Sequence, residues 1–158
     1  MSADSDAHVQ LGAGDEFDAI RAMLREWGAR AVGIGDDAAV LAAPVGERLV
    51  ASIDASVEGV HFRRDWLTAQ EIGARATAAA LSDLAAMAAA PLGLLLALGL
   101  PREWRRELDA IARGVGEMAS SVGCPIVGGN VTRASELSLT ITVLGSSARP
   151  LGRDGARA

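Results

Sequence analysis

Apolar positions along this chain alternate between a helical and a strand period. Between Asp15 and Arg30, the residues Phe17, Ile20, Met23, Leu24 and Trp27 fall on one face of a 3.6-residue repeat, with acids at its start, and predict a helix. GIGDDAAVL (33–41) reads as a glycine turn entering a short buried strand, and RLVASIDASVEGVHF (48–62) as a strand running into a loop. TAQEIGARATAAALSDLAAMAAA (68–90) predicts a long alanine-rich helix, opened by a Thr68–Glu71 capping box and stopped before Pro91. An apolar strand, 92–99, follows. PREWRRELDAIARGVGEMASSVG (101–123) predicts a helix, because Trp104, Leu108, Ile111, Val115, Met118 and Val122 step by four and three. Pro101 at its start and Gly123 just past its end fit that reading. CPIVGG (124–129) and ELSLTITVLG (136–145) read as strands, the second with Leu137, Leu139, Ile141 and Val143 alternating with polar residues.

Helices alternating with short strands predict an α/β (α+β) domain, a mixed β-sheet packed by two main helices. The expected division is a flexible amino-terminal arm (1–14), one domain (15–148) and a turn-rich tail (149–158). The strands at 49–53 and 92–98 are apolar on both faces, which implies cover on both faces. Two main helices and one short one are few for that. A homodimer through the sheet, burying more than roughly 1,000 Å² in total, is the expected cover.

Composition narrows the function classes. The net charge of −5 argues against a general nucleic-acid surface, although it leaves room for an anionic nucleotide held through metal ions. No apolar run reaches membrane-spanning length, and the start lacks a secretory pattern. The single cysteine, Cys124, cannot form an internal disulfide, and the cytoplasm is the expected location. It reads as a small buried residue at a strand start rather than as a nucleophile.

Four short stretches set acids or polar groups among small apolar residues: GDD (35–37), SID (52–54), LSDLAAM (81–87) and GGN (128–130). Acids from separate elements can converge on a multivalent cation, and hard oxygen ligands favour Mg²⁺ or Ca²⁺. Each also has a plainer reading. Asp36 can bond its own turn backbone, Asp83 can face solvent, and His61 can be a loop histidine bonded to backbone. The glycines of GGN permit close backbone approach, while the Walker pattern and the spaced-glycine dinucleotide fingerprint are absent.

In order, GIGDDAAVL, SIDASVEGVHF, LSDLAAMAAAPLG, GGNVTR, LSLTITVLG and RPLGRDGA resemble the amino-terminal half of the thiamine-monophosphate kinase family. That family lies within the superfamily of aminoimidazole ribonucleotide synthetase and selenophosphate synthetase. The resemblance implies transfer of the γ-phosphate of the co-substrate ATP onto thiamine monophosphate, assisted by Mg²⁺. It implies Mg²⁺ ligation by Asp37, Ser52, Asp54 and Asp83, with Asn130 at a further metal position. It also implies substrate contact by His61, and nucleotide contact by Gly129, Asn130 and Arg153. No catalytic group is implied beyond the metal ligands. Two residues depart from the family pattern: Asn130 stands where Asp is usual, and Ile53 where Thr is usual. The family has a second domain after this region, so this chain alone is expected to be inactive. The alternatives are another ATP-dependent enzyme of the superfamily, or a non-catalytic nucleotide-binding or dimerisation module.

Overall fold

Four of the apolar runs pair into one mixed sheet in the computed structural model, which describes residues 14–153. The strands are β1 (Arg48–Val57), β2 (Ala90–Leu100), β3 (Ile126–Arg133) and β4 (Ser138–Ser147), in the order β1-β4-β2-β3. β4 is antiparallel to both β1 and β2, whereas β2 and β3 run parallel. The helices are α1 (Asp15–Trp27), α2 (Ala69–Ala86) and α3 (Leu108–Ser121). The mixed sheet with its helices is the architecture expected. The predicted arm lies outside the described residues up to position 13, as does the tail beyond Arg153.

α2 lies over β1 and β4 and packs along α3, which in turn carries α1. Glycine makes the α2–α3 approach possible. A Cβ on Gly114 would lie 1.9 Å from the Gln70 carbonyl oxygen, and one on Gly73 would lie 2.3 Å from that of Ile111. The helices therefore meet backbone to backbone, and the side chains around the crossing (Ile72, Ile111, Val115) are sealed from solvent. Beneath them lie Leu94, Leu96 and Leu98 of β2 and Leu139, Ile141 and Val143 of β4.

The helix ends show how the chain turns back. α2 opens with the expected capping box: the Thr68 hydroxyl accepts from the Glu71 N–H, and the Glu71 carboxylate accepts from the Thr68 N–H. This partnership holds the Glu71 carboxyl below its usual range. α2 stops at Ala86, before Pro91 could force it to. Ala88 adopts a left-handed φ of 50°, and the Ala89 N–H reaches back to the Leu84 carbonyl. α3 ends by the same device with Gly123 (φ 67°) in the left-handed place and Cys124 N–H bonded to Ala119.

Two predicted elements differ. The helix expected from Pro101 begins as a 3₁₀ segment, Arg102–Glu107, and becomes α-helical only at Leu108. Trp104, within the 3₁₀ segment, is held by partners distant in sequence. The strand expected within 33–41 does not form. This segment has only an Ile34–Asp36 bridge, Val40 is 96% exposed, and the chain crosses the sheet's helix-free face, where Leu41 comes near Gly93.

Candidate functional site

Residues paired across a sheet share a face, so the register places the polar groups. Ser52 pairs with Val143 and Asp54 with Ile141, both buried under the helices. Ser52 and Asp54 therefore occupy the helix side of edge strand β1. Asp83, on α2, meets them there: the Ser52 hydroxyl donates to Asp83 Oδ2 at 2.5 Å. Asp83 is exposed yet turned toward β1 rather than to the far side of its helix. SID and LSDLAAM, 31 residues apart, thus form one polar group. The neighbouring Ser82 hydroxyl only returns to the Ala79 carbonyl.

The second group gathers at the other edge strand, β3. Asp36 and Asp37 line a recess with Gly128, Gly129 and Asn130, backed by Phe17, Ile20, Met23, Leu24 and Trp27 of α1. The same turn and the same GGN residues border a larger hollow of about 530 Å³ on the helix-free face, reaching Ile53, Thr140 and Thr142. Asp36 Oδ1 accepts the Asp37 N–H at 2.9 Å, which is the turn-capping role, while the Asp37 carboxylate has no hydrogen-bond or ion-pair partner among the described residues. Gly129 is required by packing: its φ is 155°, and a Cβ would fall 2.0 Å from the Leu96 carbonyl oxygen.

The two groups do not meet within the chain. β1 and β3 are opposite edges with two strands between them, three strand spacings or about 14 Å. Among the described residues, no three His, Cys, Asp or Glu side chains are grouped to hold a metal. None of Asp36, Asp37, Asp54 and Asp83 is among the ion pairs formed by the described residues. Paired hard oxygens without basic partners fit a cation that takes its remaining ligands from water and phosphate, as Mg²⁺ does.

His61 is exposed on the turn after β1. Its Nδ1 accepts the Val57 N–H at 3.1 Å, so the ring hydrogen of the neutral imidazole sits on Nε2. Arg153 is exposed at the last described position and is not among the described residues that line either recess. Cys124 is buried, and burial pushes its thiol up to about 11, so it stays protonated and unreactive near neutral pH. Sequence periodicity missed two recess residues, Thr140 and Thr142, and did not set Ile53 beside them. They lie on the face away from the core, and only the strand order brings them beside GGN.

Residues 35–147 match the family model described as AIR synthase related protein, N-terminal domain. The chain belongs to this family. Thiamine-monophosphate kinase of Synechococcus elongatus is 46% identical over 112 residues, covering 70% of this chain and 34% of that protein. The structure of thiamine-monophosphate kinase from Stenotrophomonas maltophilia K279a aligns with a TM-score of 0.67 at 39% identity, covering 83% of this chain and 41% of that one. AaThiL complexed with AMPPCP and TMP aligns with a TM-score of 0.67 at 28% identity, covering 90% of this chain and 45% of that one. This AIR synthase related domain thus spans less than half the length of each. Among its described residues, no helix is long and apolar enough to cross a membrane.

Proposed function

We propose that this domain is the ATP- and Mg²⁺-binding half of a thiamine-monophosphate kinase. In that reaction the terminal P–O bond of ATP breaks, an oxygen of thiamine monophosphate takes the phosphoryl group, and ADP leaves. The observation that carries the reading is the Ser52–Asp83 bond beside Asp54. It unites two motifs that the chain shares with the kinase family, in a domain 46% identical to a thiamine-monophosphate kinase over 112 residues.

Asp54, Asp83 and Ser52 would hold Mg²⁺ at β1, with Asp37 and the Asn130 carbonyl oxygen serving the recess at β3. Bound there, Mg²⁺ would neutralise phosphate charge, which is most of what phosphoryl transfer requires of a protein. Asn130 brings an oxygen without a charge, so the β3 position is the weaker one, and Ile53 offers no oxygen to the larger hollow that it borders. The glycine-lined recess and the apolar face of α1 suit a nucleotide lying against backbone. His61 offers Nε2–H to a phosphate oxygen of thiamine monophosphate, and Arg153 offers a cation to the nucleotide. A second copy against the helix-free face is the proposed cover for Leu49 and Ile53, each 66% exposed. The cytoplasm is the proposed location.

Calorimetry tests the reading. ATP should bind the chain only with Mg²⁺ present, and thiamine monophosphate should bind the ATP-loaded form. Binding of ATP·Mg²⁺ without thiamine monophosphate would favour another enzyme of the superfamily. Absence of both would leave a dimerisation module. Turnover by this chain alone should be negligible, since it spans less than half of the kinases it resembles.

A further inference from the structure

The turn that carries His61 is fixed by groups outside the motifs that suggest chemistry. Glu58, half-buried at the end of β1, holds two neighbours through one oxygen. Oε2 accepts the Trp104 indole N–H at 2.8 Å and the Leu137 N–H at 3.4 Å. The Glu58 N–H in turn donates to the Leu137 carbonyl at 2.9 Å. Four residues beyond the turn's start, Phe62 is 1% exposed and anchors the return, with its carbonyl accepting the Gly59 N–H. Arg64 closes the other side. Its guanidinium lies 4.4 Å from the Trp104 ring centroid and pairs with Glu107 at 2.5 Å. Trp104, itself 1% exposed, therefore grips both ends of the turn: Glu58 by its N–H and Arg64 by its ring face.

Between Glu58 and Phe62 the side chains of Val60 and His61 stand exposed. The His61 ring is tied back through Nδ1 to Val57, and Nε2–H has no partner among the described residues. The two N–H donors offset the cost of half-burying the Glu58 carboxylate, so hydrogen bonds hold it in one place.

We propose that Glu58, held by Trp104, is the positioning residue that fixes the His61 ring so that Nε2–H is presented to a phosphate oxygen of the acceptor substrate. This rests on the reading of His61 as a substrate contact. Glu58 touches no substrate. It acts by keeping the turn, and hence the Val57–His61 hydrogen bond, in one geometry.

The test is the two-bond N–N coupling across that hydrogen bond in the ¹⁵N-labelled chain, followed by titration with thiamine monophosphate while watching the His61 ring. The coupling should be present in the wild type and in Glu58→Gln, which keeps an acceptor oxygen. It should be lost in Glu58→Ala while the amide spectrum of α2 and α3 is unchanged. Half-saturation of the His61 shift should need roughly tenfold more thiamine monophosphate in Glu58→Ala, the lower end of what removing an orienting partner costs at metal-bound histidines. Coupling that survives in Glu58→Ala overturns the proposal. If Glu58→Ala does not fold, Trp104→Phe removes the indole donor and keeps a ring under Arg64. Weakened coupling there supports the proposal, and unchanged coupling overturns it. If coupling follows Glu58 but thiamine monophosphate leaves wild-type His61 unmoved, the positioning role stands and the substrate role of His61 fails. If the ligand moves His61 equally in wild type and Glu58→Ala, the substrate role stands and the positioning role fails.

Discussion

β4 and β1 run side by side, yet they are built with opposite polarity. On β4 the helix side is apolar and fully buried (Leu139, Ile141, Val143), while Thr140 and Thr142 face away. On β1 the helix side carries Ser52 and Asp54, while Leu49 and Ile53 face away and are 66% exposed. A central strand puts its apolar side where folding needs it. Over 52–54 the edge strand inverts the rule: Ser52 and Asp54 face α2 and Ile53 faces outward, while Val50 still packs against the core. Core stability and candidate function are thus divided between two strands joined by one hydrogen-bond ladder.

The division predicts unequal costs for changes at neighbouring positions. Ile141→Ala should destabilise the domain by about 3 kcal/mol through lost burial and a cavity. Thr142→Ala, one residue away on the open face, should cost less than about 1 kcal/mol, read by denaturant melts. Similar losses at both positions would mean that the open face is already covered within the chain.

Gly114→Ala should cost about 2 kcal/mol, because its Cβ would meet the Gln70 carbonyl and force α2 from α3. That shift should also disturb Asp83, so the Ser52–Asp83 bond reports whether the core and the β1 group are coupled. Ala88→Gly should work in the other direction. It relieves a left-handed alanine at the end of α2 and should stabilise by about 1 kcal/mol, bringing this helix end to the form that Gly123 gives α3. The smallest effect on folding belongs to Ile53→Thr, within about 0.5 kcal/mol. Its consequence should appear in association instead: light scattering at micromolar concentration should show a wild-type dimer and a weakened one in this variant.

The helical period and the capping box made α2 legible, because both are local. The alternation in 137–143 made β4 legible for the same reason. The break before Leu108 was not, since Trp104 fits the helical repeat of α3 and is held by Glu58 and Arg64, some 40 residues away. The segment 33–41 reads as a buried strand by composition, but Asp36 bonds its own turn, and the pairing of this part of the chain with β3 stops at the Ala31–Ile126 bridge. The four polar motifs were visible as residues. Their grouping was not, because which acids meet depends on strand order, and this order sends SID and GGN to opposite edges.

The most direct test of the central claim is the melting temperature of the chain with Mg²⁺, with ATP and with both. The β1–α2 group should make the pair act together: ATP with Mg²⁺ should raise the melting temperature well beyond the sum of the separate shifts. Asp83→Asn should abolish that gain without lowering the melting temperature of the free chain by more than a few degrees. No shift with ATP and Mg²⁺ together, or an equal shift in Asp83→Asn, would contradict the account.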